Sequence, residues 1–201
     1  MYLSRILYPV EVLGPGKRIG IWMAGCEHHC KGCSNPELWE QKEENRTDID
    51  SVMELICLIC KAHVIDGFTI TGGDPFYQPE ALRILLPRLT EISADILVYT
   101  GYLLEELPAD ILRHVAVLID GRYIENRNRG EALRGSDNQR IIILQDAFRS
   151  SYEAYLKKGG GRIQNFSTRD GVISVGIHLP GYQESLRQAV VRKGLEERQD
   201  G

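Results

Sequence analysis

Short apolar runs alternate with segments of helical period from about residue 19 to about residue 120, and this alternation organises the chain. Residues 19–24 read as a short buried strand. Apolar side chains at Ile49, Val52, Met53, Ile56, Ile59 and Cys60 give residues 49–64 the spacing of a helix, with Asp48 as its N-cap and Gly67 just beyond its end. Residues 68–71 predict a strand ending in Gly72-Gly73. Helical period returns over 78–92, with Pro79 in the first turn, where proline is tolerated. Residues 96–100 predict a strand, 103–113 a helix or one broken at Pro108, and 115–119 a strand ending in Asp120-Gly121. Such alternation implies βαβ units and a parallel sheet. Functional residues in such sheets lie beyond the carboxyl ends of the strands. The three strand ends, Gly25-Cys26, Gly72-Gly73-Asp74 and Thr100-Gly101-Tyr102, therefore share one edge and are read as one site.

The texture changes after residue 121. Residues 121–140 are rich in Arg, Asn and Gly and read as a long loop, with five arginines against three acids. A strand over 140–144 and a helix over 147–158 precede Gly159-Gly160-Gly161. Two alternating runs, 162–168 and 172–178, flank Arg169-Asp170-Gly171, a hairpin signal. A charged helix over 183–199 follows. The division is a core of residues 1–145 and a C-terminal extension, 146–201, packed upon it.

Composition narrows the function. The 201 residues suffice for one domain with an appendage, and 43% hydrophobic with 26% charged residues is ordinary for a globular protein. A net charge of −4, from 24 basic and 28 acidic residues without a long run of one sign, argues against a nucleic-acid-binding surface. The longest wholly apolar stretch is the six residues 55–60, far short of a membrane span. Pro9 and Glu11 stand where an export signal needs its apolar core, so a cytoplasmic protein is expected. Five cysteines, three of them at Cys26, Cys30 and Cys33, argue against a disulfide framework and for metal or redox chemistry.

The spacing is Cys-x3-Cys-x2-Cys directly after a strand. Three thiolates cannot fill the four positions of a structural zinc or a fully ligated cubane. On a [4Fe–4S] cluster they leave one iron open, suited to a bidentate amine and carboxylate such as the methionine end of S-adenosyl-L-methionine. Two other readings stand beside this one. His28 or His29 could complete a Cys3His zinc site, or both could be solvated loop residues. Cys57 and Cys60, in an apolar helix, read as buried small hydrophobes rather than as a fourth ligand.

Tyr8-Pro9-Val10-Glu11, Gly14-Pro15-Gly16-Lys17-Arg18, the loop from Gly25 to Asn35 with Trp39, and Gly72-Gly73-Asp74-Pro75 together resemble the radical S-adenosylmethionine superfamily. Tyr99-Thr100-Gly101-Tyr102 and Asp120-Gly121-Arg122, followed by Arg134-Gly135-Ser136-Asp137-Asn138-Gln139-Arg140, match its glycyl-radical activators, those of anaerobic ribonucleotide reductase most closely. The resemblance covers roughly residues 5–145. It implies an α/β fold, a partial open (β/α) barrel of radical S-adenosylmethionine type, with the hairpin and helix appended.

The resemblance also assigns roles. Cys26, Cys30 and Cys33 are implied as ligands of one [4Fe–4S] cluster and as the catalytic centre. Gly72, Gly73, Asp74, Pro75, Thr100 and Asp120 are implied as cofactor-binding, the glycines by letting backbone approach the methionine moiety. Met23 and Trp39 are implied near the cluster, with plain core packing as the alternative. For Thr100, Asp120 and Arg140, contact with ribose, carboxylate or partner stands against a structural role. The 121–140 loop stands between receiving a partner loop and being merely solvated. The implied reaction is reductive cleavage of S-adenosyl-L-methionine to a 5′-deoxyadenosyl radical, which takes hydrogen from a glycine of a partner. That partner is implied to be the large subunit of anaerobic ribonucleotide reductase, and the electron to come from a flavodoxin- or ferredoxin-type donor. The unmatched tail leaves open a stand-alone radical enzyme acting on a small molecule or peptide, and a zinc or interaction module is the third reading.

Overall fold

A computed structural model describes residues 1–168 and 171–192. Its centre is an open six-stranded sheet, in the order β1 (Leu3–Val10), β2 (Arg18–Met23), β3 (Gly67–Gly72), β4 (Ile96–Tyr99), β5 (Val117–Asp120) and β6 (Arg140–Ile143). Strands β2 to β5 run parallel, connected through α1 (Ile49–Ala62), α2 (Pro79–Thr90) and the single turn α3 (Ala109–Leu112). Both edge strands are antiparallel to their neighbours, so the sheet is mixed rather than wholly parallel.

Local chemistry accounts for most boundaries. Asp48 caps α1 by accepting the Ser51 amide at 2.7 Å. Pro108 divides residues 103–113 into a 3-10 turn, Leu104–Glu106, and α3. Strand β1 is absent from the sequence-based expectation. Its residues are mostly half-buried, Arg5 and Pro9 interrupt its alternation, and two register shifts disturb its pairing with β2.

The extension packs on the sheet in two places. α4 (Arg149–Lys157) buries Tyr152 and Tyr155 against Leu97, Ala116, Val117 and Ile119. β7 (Ile163–Thr168) and β8 (Gly171–Gly176) form the expected antiparallel hairpin; its Arg169-Asp170 corner lies outside the described residues. Val175 of β8 is buried with Val10, Val12, Leu13, Trp22 and Leu38. Gln164 fastens β7 to the end of β1, donating to Pro9 O at 2.7 Å and accepting from Glu11 N at 2.9 Å. The last helix, α5, spans Tyr182–Arg192, and the remainder of the expected 183–199 lies outside the described residues. Among the described residues no helix is long and apolar enough to cross a membrane.

Candidate functional site

The parallel register of β2 and β3 pairs Met23 with Gly72 and brings two of the three expected strand ends side by side. Gly73 N donates to Met23 O at 2.7 Å, and Asp74 N to Gly25 O at 2.8 Å. The cysteine loop leaves from this seam and is closed at its base, with Gly25 N to Leu38 O at 2.8 Å and Cys26 N to Trp39 O at 2.9 Å. A turn inside the loop places Cys33 N 3.1 Å from Cys30 O.

The two glycines are crowded by the protein's own backbone. A Cβ on Gly73 would lie 2.4 Å from Gly25 O and 2.7 Å from Leu38 O. One on Gly72, at φ +115°, would lie 2.3 Å from Met23 O. A side chain at either position would break the seam that holds the cysteine loop.

Asp74 is buried, and its carboxylate is filled by neighbours from three segments. It accepts Phe76 N at 2.9 Å, the Thr100 hydroxyl at 3.0 and 3.1 Å, and Gly101 N at 2.8 Å, and it lies 3.1 Å from His28 Nε2. It thus ties the cysteine loop to the ends of β3 and β4. Asp74→Ala strands a buried hydroxyl and two buried amides at about 1–3 kcal/mol each before relaxation. The expected result is a fall of several degrees in Tm, with Asp74→Asn intermediate; an unchanged melting curve for the alanine variant would remove this role.

Cys26, Cys30, Cys33, Gly73, Asp74 and Thr100 line one open cleft of about 1030 Å3, counting the part that opens to solvent. Gly72, Pro75 and Asp120 lie outside its lining. Asp120 is buried and faces away, accepting Leu104 N at 2.8 Å and Arg140 Nε at 2.9 Å, with a second contact from Arg140 Nη2. Arg140 also forks onto Glu105 and holds that carboxyl down at about 2. In the 121–140 loop Arg127 and Arg134 are likewise paired, with Asp137 and Glu131.

Cys26, Cys30 and Cys33 are the thiol donors of this cleft, although among the described residues no three His, Cys, Asp or Glu side chains are grouped as they stand to hold a metal ion. Burial pushes the Cys26 and Cys33 thiols above their ordinary range. His28 is engaged with Asp74 and meets Tyr102 edge-on at 4.5 Å, while His29 lies against Trp39 at 4.9 Å, so both histidines have partners within the fold. Met23 is fully buried in the core, whereas Trp39 lines the cleft. Cys57 is exposed on α1, contrary to the buried packing expected of it; Ile56 takes the inward position and the helix turns its neighbour out. Cys60 is half-buried and packs against the core.

The cleft has a wall that strand-end reasoning misses. Ser174, Val175, Gly176, Ile177 and His178, from β8 and the residues after it, line it together with the cysteines. Their sequence carries a hairpin signal but no local pattern pointing to a site, because their approach depends on how the tail folds back.

A loop of three thiols at the carboxyl edge of an α/β sheet is the architecture of an iron–sulfur protein. The family model for the 4Fe–4S single cluster domain matches residues 12–142. The chain belongs to the family of anaerobic ribonucleoside-triphosphate reductase-activating proteins. It is 36% identical over 142 residues to that of Enterobacteria phage T4, covering 67% of this chain and 90% of the relative. It is 33% identical over 145 residues to that of Vibrio cholerae, covering 67% and 93%, and 33% identical over 150 residues to that of Pasteurella multocida, covering 67% and 92%. Nearly the whole length of these relatives is matched by about two thirds of this chain.

Proposed function

We propose that the chain is a radical S-adenosyl-L-methionine activase that forms a glycyl radical on the large subunit of anaerobic ribonucleotide reductase. The observation that carries this reading is the gathering of Cys26, Cys30 and Cys33 with Gly73, Asp74 and Thr100 around one cleft at the carboxyl edge of the sheet. The mixed sheet is read as the partial open barrel of that superfamily. Cys26, Cys30 and Cys33 would hold one [4Fe–4S] cluster. A cluster held there would supply the one-electron reduction that splits S-adenosyl-L-methionine into methionine and a 5′-deoxyadenosyl radical. Hydrogen from a glycine Cα of the partner would complete 5′-deoxyadenosine and leave the stored radical there. The electron comes from a flavodoxin- or ferredoxin-type donor in the cytoplasm. The chain's own work is to position: Asp74 joins the cysteine loop to Thr100 and Gly101, and the Gly73 seam fixes the loop's base.

The test combines anaerobically reconstituted protein, a chemical reductant, S-adenosyl-L-methionine and the reductase large subunit. A glycyl doublet in electron paramagnetic resonance, dependent on every component and accompanied by 5′-deoxyadenosine, is the expected result. Cofactor cleavage without a doublet would favour a stand-alone radical enzyme acting on a small molecule or peptide. The tail wall of the cleft is the observation favouring that second reading.

A further inference from the structure

Among the described residues, five buried side-chain atoms lack a hydrogen-bond partner, and three of them, Trp39 Nε1, Tyr99 Oη and His178 Nδ1, belong to residues lining the cleft. An unpaired buried polar atom costs about 1–3 kcal/mol, so such atoms gathered in one cleft are unspent groups for a ligand. Trp39 closes the base of the cysteine loop. Tyr99 instead packs against the apolar cluster that contains Val175, on the side walled by the tail.

His178 is held in place. Its backbone carbonyl accepts Asn128 Nδ2 at 2.7 Å, and its ring stacks on Tyr182 with centroids 4.6 Å apart and planes 12° from parallel. Its Nε2 lies 3.1 Å from Ser174 Oγ, which lies 3.1 Å from Tyr182 Oη. The three groups form one chain in which either hydroxyl can donate and the imidazole tautomer sets the direction at Nε2. Burial holds the imidazole below its ordinary pKa, which favours the neutral ring. Burial also keeps the Tyr99 phenol protonated. The tail-walled half thus offers an unpaired imidazole nitrogen and an unpaired phenol hydroxyl near the apolar side chains of Leu13, Trp22 and Val175. No lysine or arginine is among the described residues lining the cleft, which is unfavourable for a phosphate-bearing ligand.

We propose that the tail builds a second subsite in the cleft, where His178 and Tyr99 hydrogen-bond backbone amides of a substrate polypeptide. The neutral pair and the apolar side chains near it suit peptide groups, which are uncharged and carry both a donor and an acceptor. The subsite makes the two residues specificity-determining. It rests on the activase reading for the identity of the polypeptide, and it adds residues to which that reading gives no role.

The experiment compares wild type with Tyr99→Phe, which removes one hydroxyl, and His178→Phe, which keeps the stack on Tyr182. Binding of the cluster-free chain to the anaerobic reductase large subunit is measured by biolayer interferometry. Glycyl radical formed per S-adenosyl-L-methionine cleaved is measured with the reconstituted chain. Each variant is expected to raise Kd about tenfold, the size of one lost hydrogen bond, with a matching fall in radical per cofactor cleaved and no change in Tm. Wild type that binds and activates, beside variants that do so equally well, would overturn the subsite and leave the activase reading standing. Wild type that neither binds the reductase nor yields a doublet would overturn both. If His178→Phe fails to fold, Tyr99→Phe decides alone.

Discussion

A Cys30→Ala chain is expected to fold with an unchanged thermal midpoint, to assemble no iron–sulfur cluster and to activate no reductase. The two halves of that outcome have different causes. Cys30 contributes to the loop through its backbone, since its carbonyl accepts Cys33 N at 3.1 Å, and this bond survives the substitution. The loop's base is held by Gly25 with Leu38 and Cys26 with Trp39, neither of which involves the Cys30 side chain. Removing a half-buried thiol therefore costs the fold little. Under the proposed ligation, however, three thiols are all that the loop supplies, and two cannot replace them. Iron and sulfide content after anaerobic reconstitution, the visible absorption of the cluster and the thermal midpoint of the cluster-free chain check each part. Cys57→Ala serves as the control, since Cys57 is exposed on α1 and does not line the cleft, and it should retain full cluster content. A Cys30→Ala chain that keeps its cluster would sink the assignment of Cys30 as a ligand.

How far the site was legible follows from how each residue reaches it. Strands β2, β3 and β4 are nearly continuous apolar runs, as buried parallel strands are, and their ends carry Gly25-Cys26, Gly72-Gly73-Asp74 and Thr100. Counting strands was therefore enough to gather those residues on one edge. Asp120 shows what a strand end alone leaves open. It ends β5 as expected, yet Arg140 and the Leu104 amide occupy its carboxylate, and a strand end does not reveal which way its last side chain turns. Gly72 and Gly73 were singled out for room around a ligand, whereas the groups that crowd them are backbone atoms of the cysteine seam. β1 was illegible because its character comes from the register it adopts beside β2 rather than from any alternation of its own. His178 lay further out of reach. Its place in the cleft depends on Asn128 catching its carbonyl, Gln164 fastening β7 to β1 and Val175 entering the core, each a contact across a long stretch of chain.

Arg18→Met is expected to destabilise the chain by about 3–5 kcal/mol, the usual consequence of removing one partner from a buried ion pair. The Arg18 side chain is fully buried at the amino end of β2, the edge opposite the cleft. It meets Asp95 in a fork, with Nη1 to Oδ2 at 2.8 Å and Nη2 to Oδ1 at 3.1 Å. Its remaining donors reach Thr69 Oγ1 at 2.8 Å, Phe68 O at 2.6 Å, Asp95 O at 2.9 Å and Pro15 O at 3.1 Å. Tyr152 of α4 donates to Asp95 Oδ1 at 2.7 Å and lies 5.8 Å from the guanidinium carbon, so the same network anchors the tail to the sheet. Methionine fills similar volume but takes the fork from the Asp95 carboxylate and a donor from each of three carbonyls, Phe68 O, Asp95 O and Pro15 O. At roughly 2–4 °C per kcal/mol for a chain of this size, the fall in Tm is of order 10 °C. Arg18→Lys should lose much of the same stability, because a single ammonium cannot reproduce the fork. The surface pair of Arg88 with Asp50, at 2.6 Å but largely exposed, provides the contrast: Arg88→Ala should cost no more than about 1 kcal/mol. Calorimetry on the three variants separates the cases, and an Arg18→Met chain that melts with the wild type would show that the network is dispensable. Because Tyr152 shares Asp95 with Arg18, the weakened chain should also release its tail first, seen as faster amide exchange across β7 and β8 than across β3 and β4. The wall that closes the cleft would then depend on a charge pair at the far edge of the sheet.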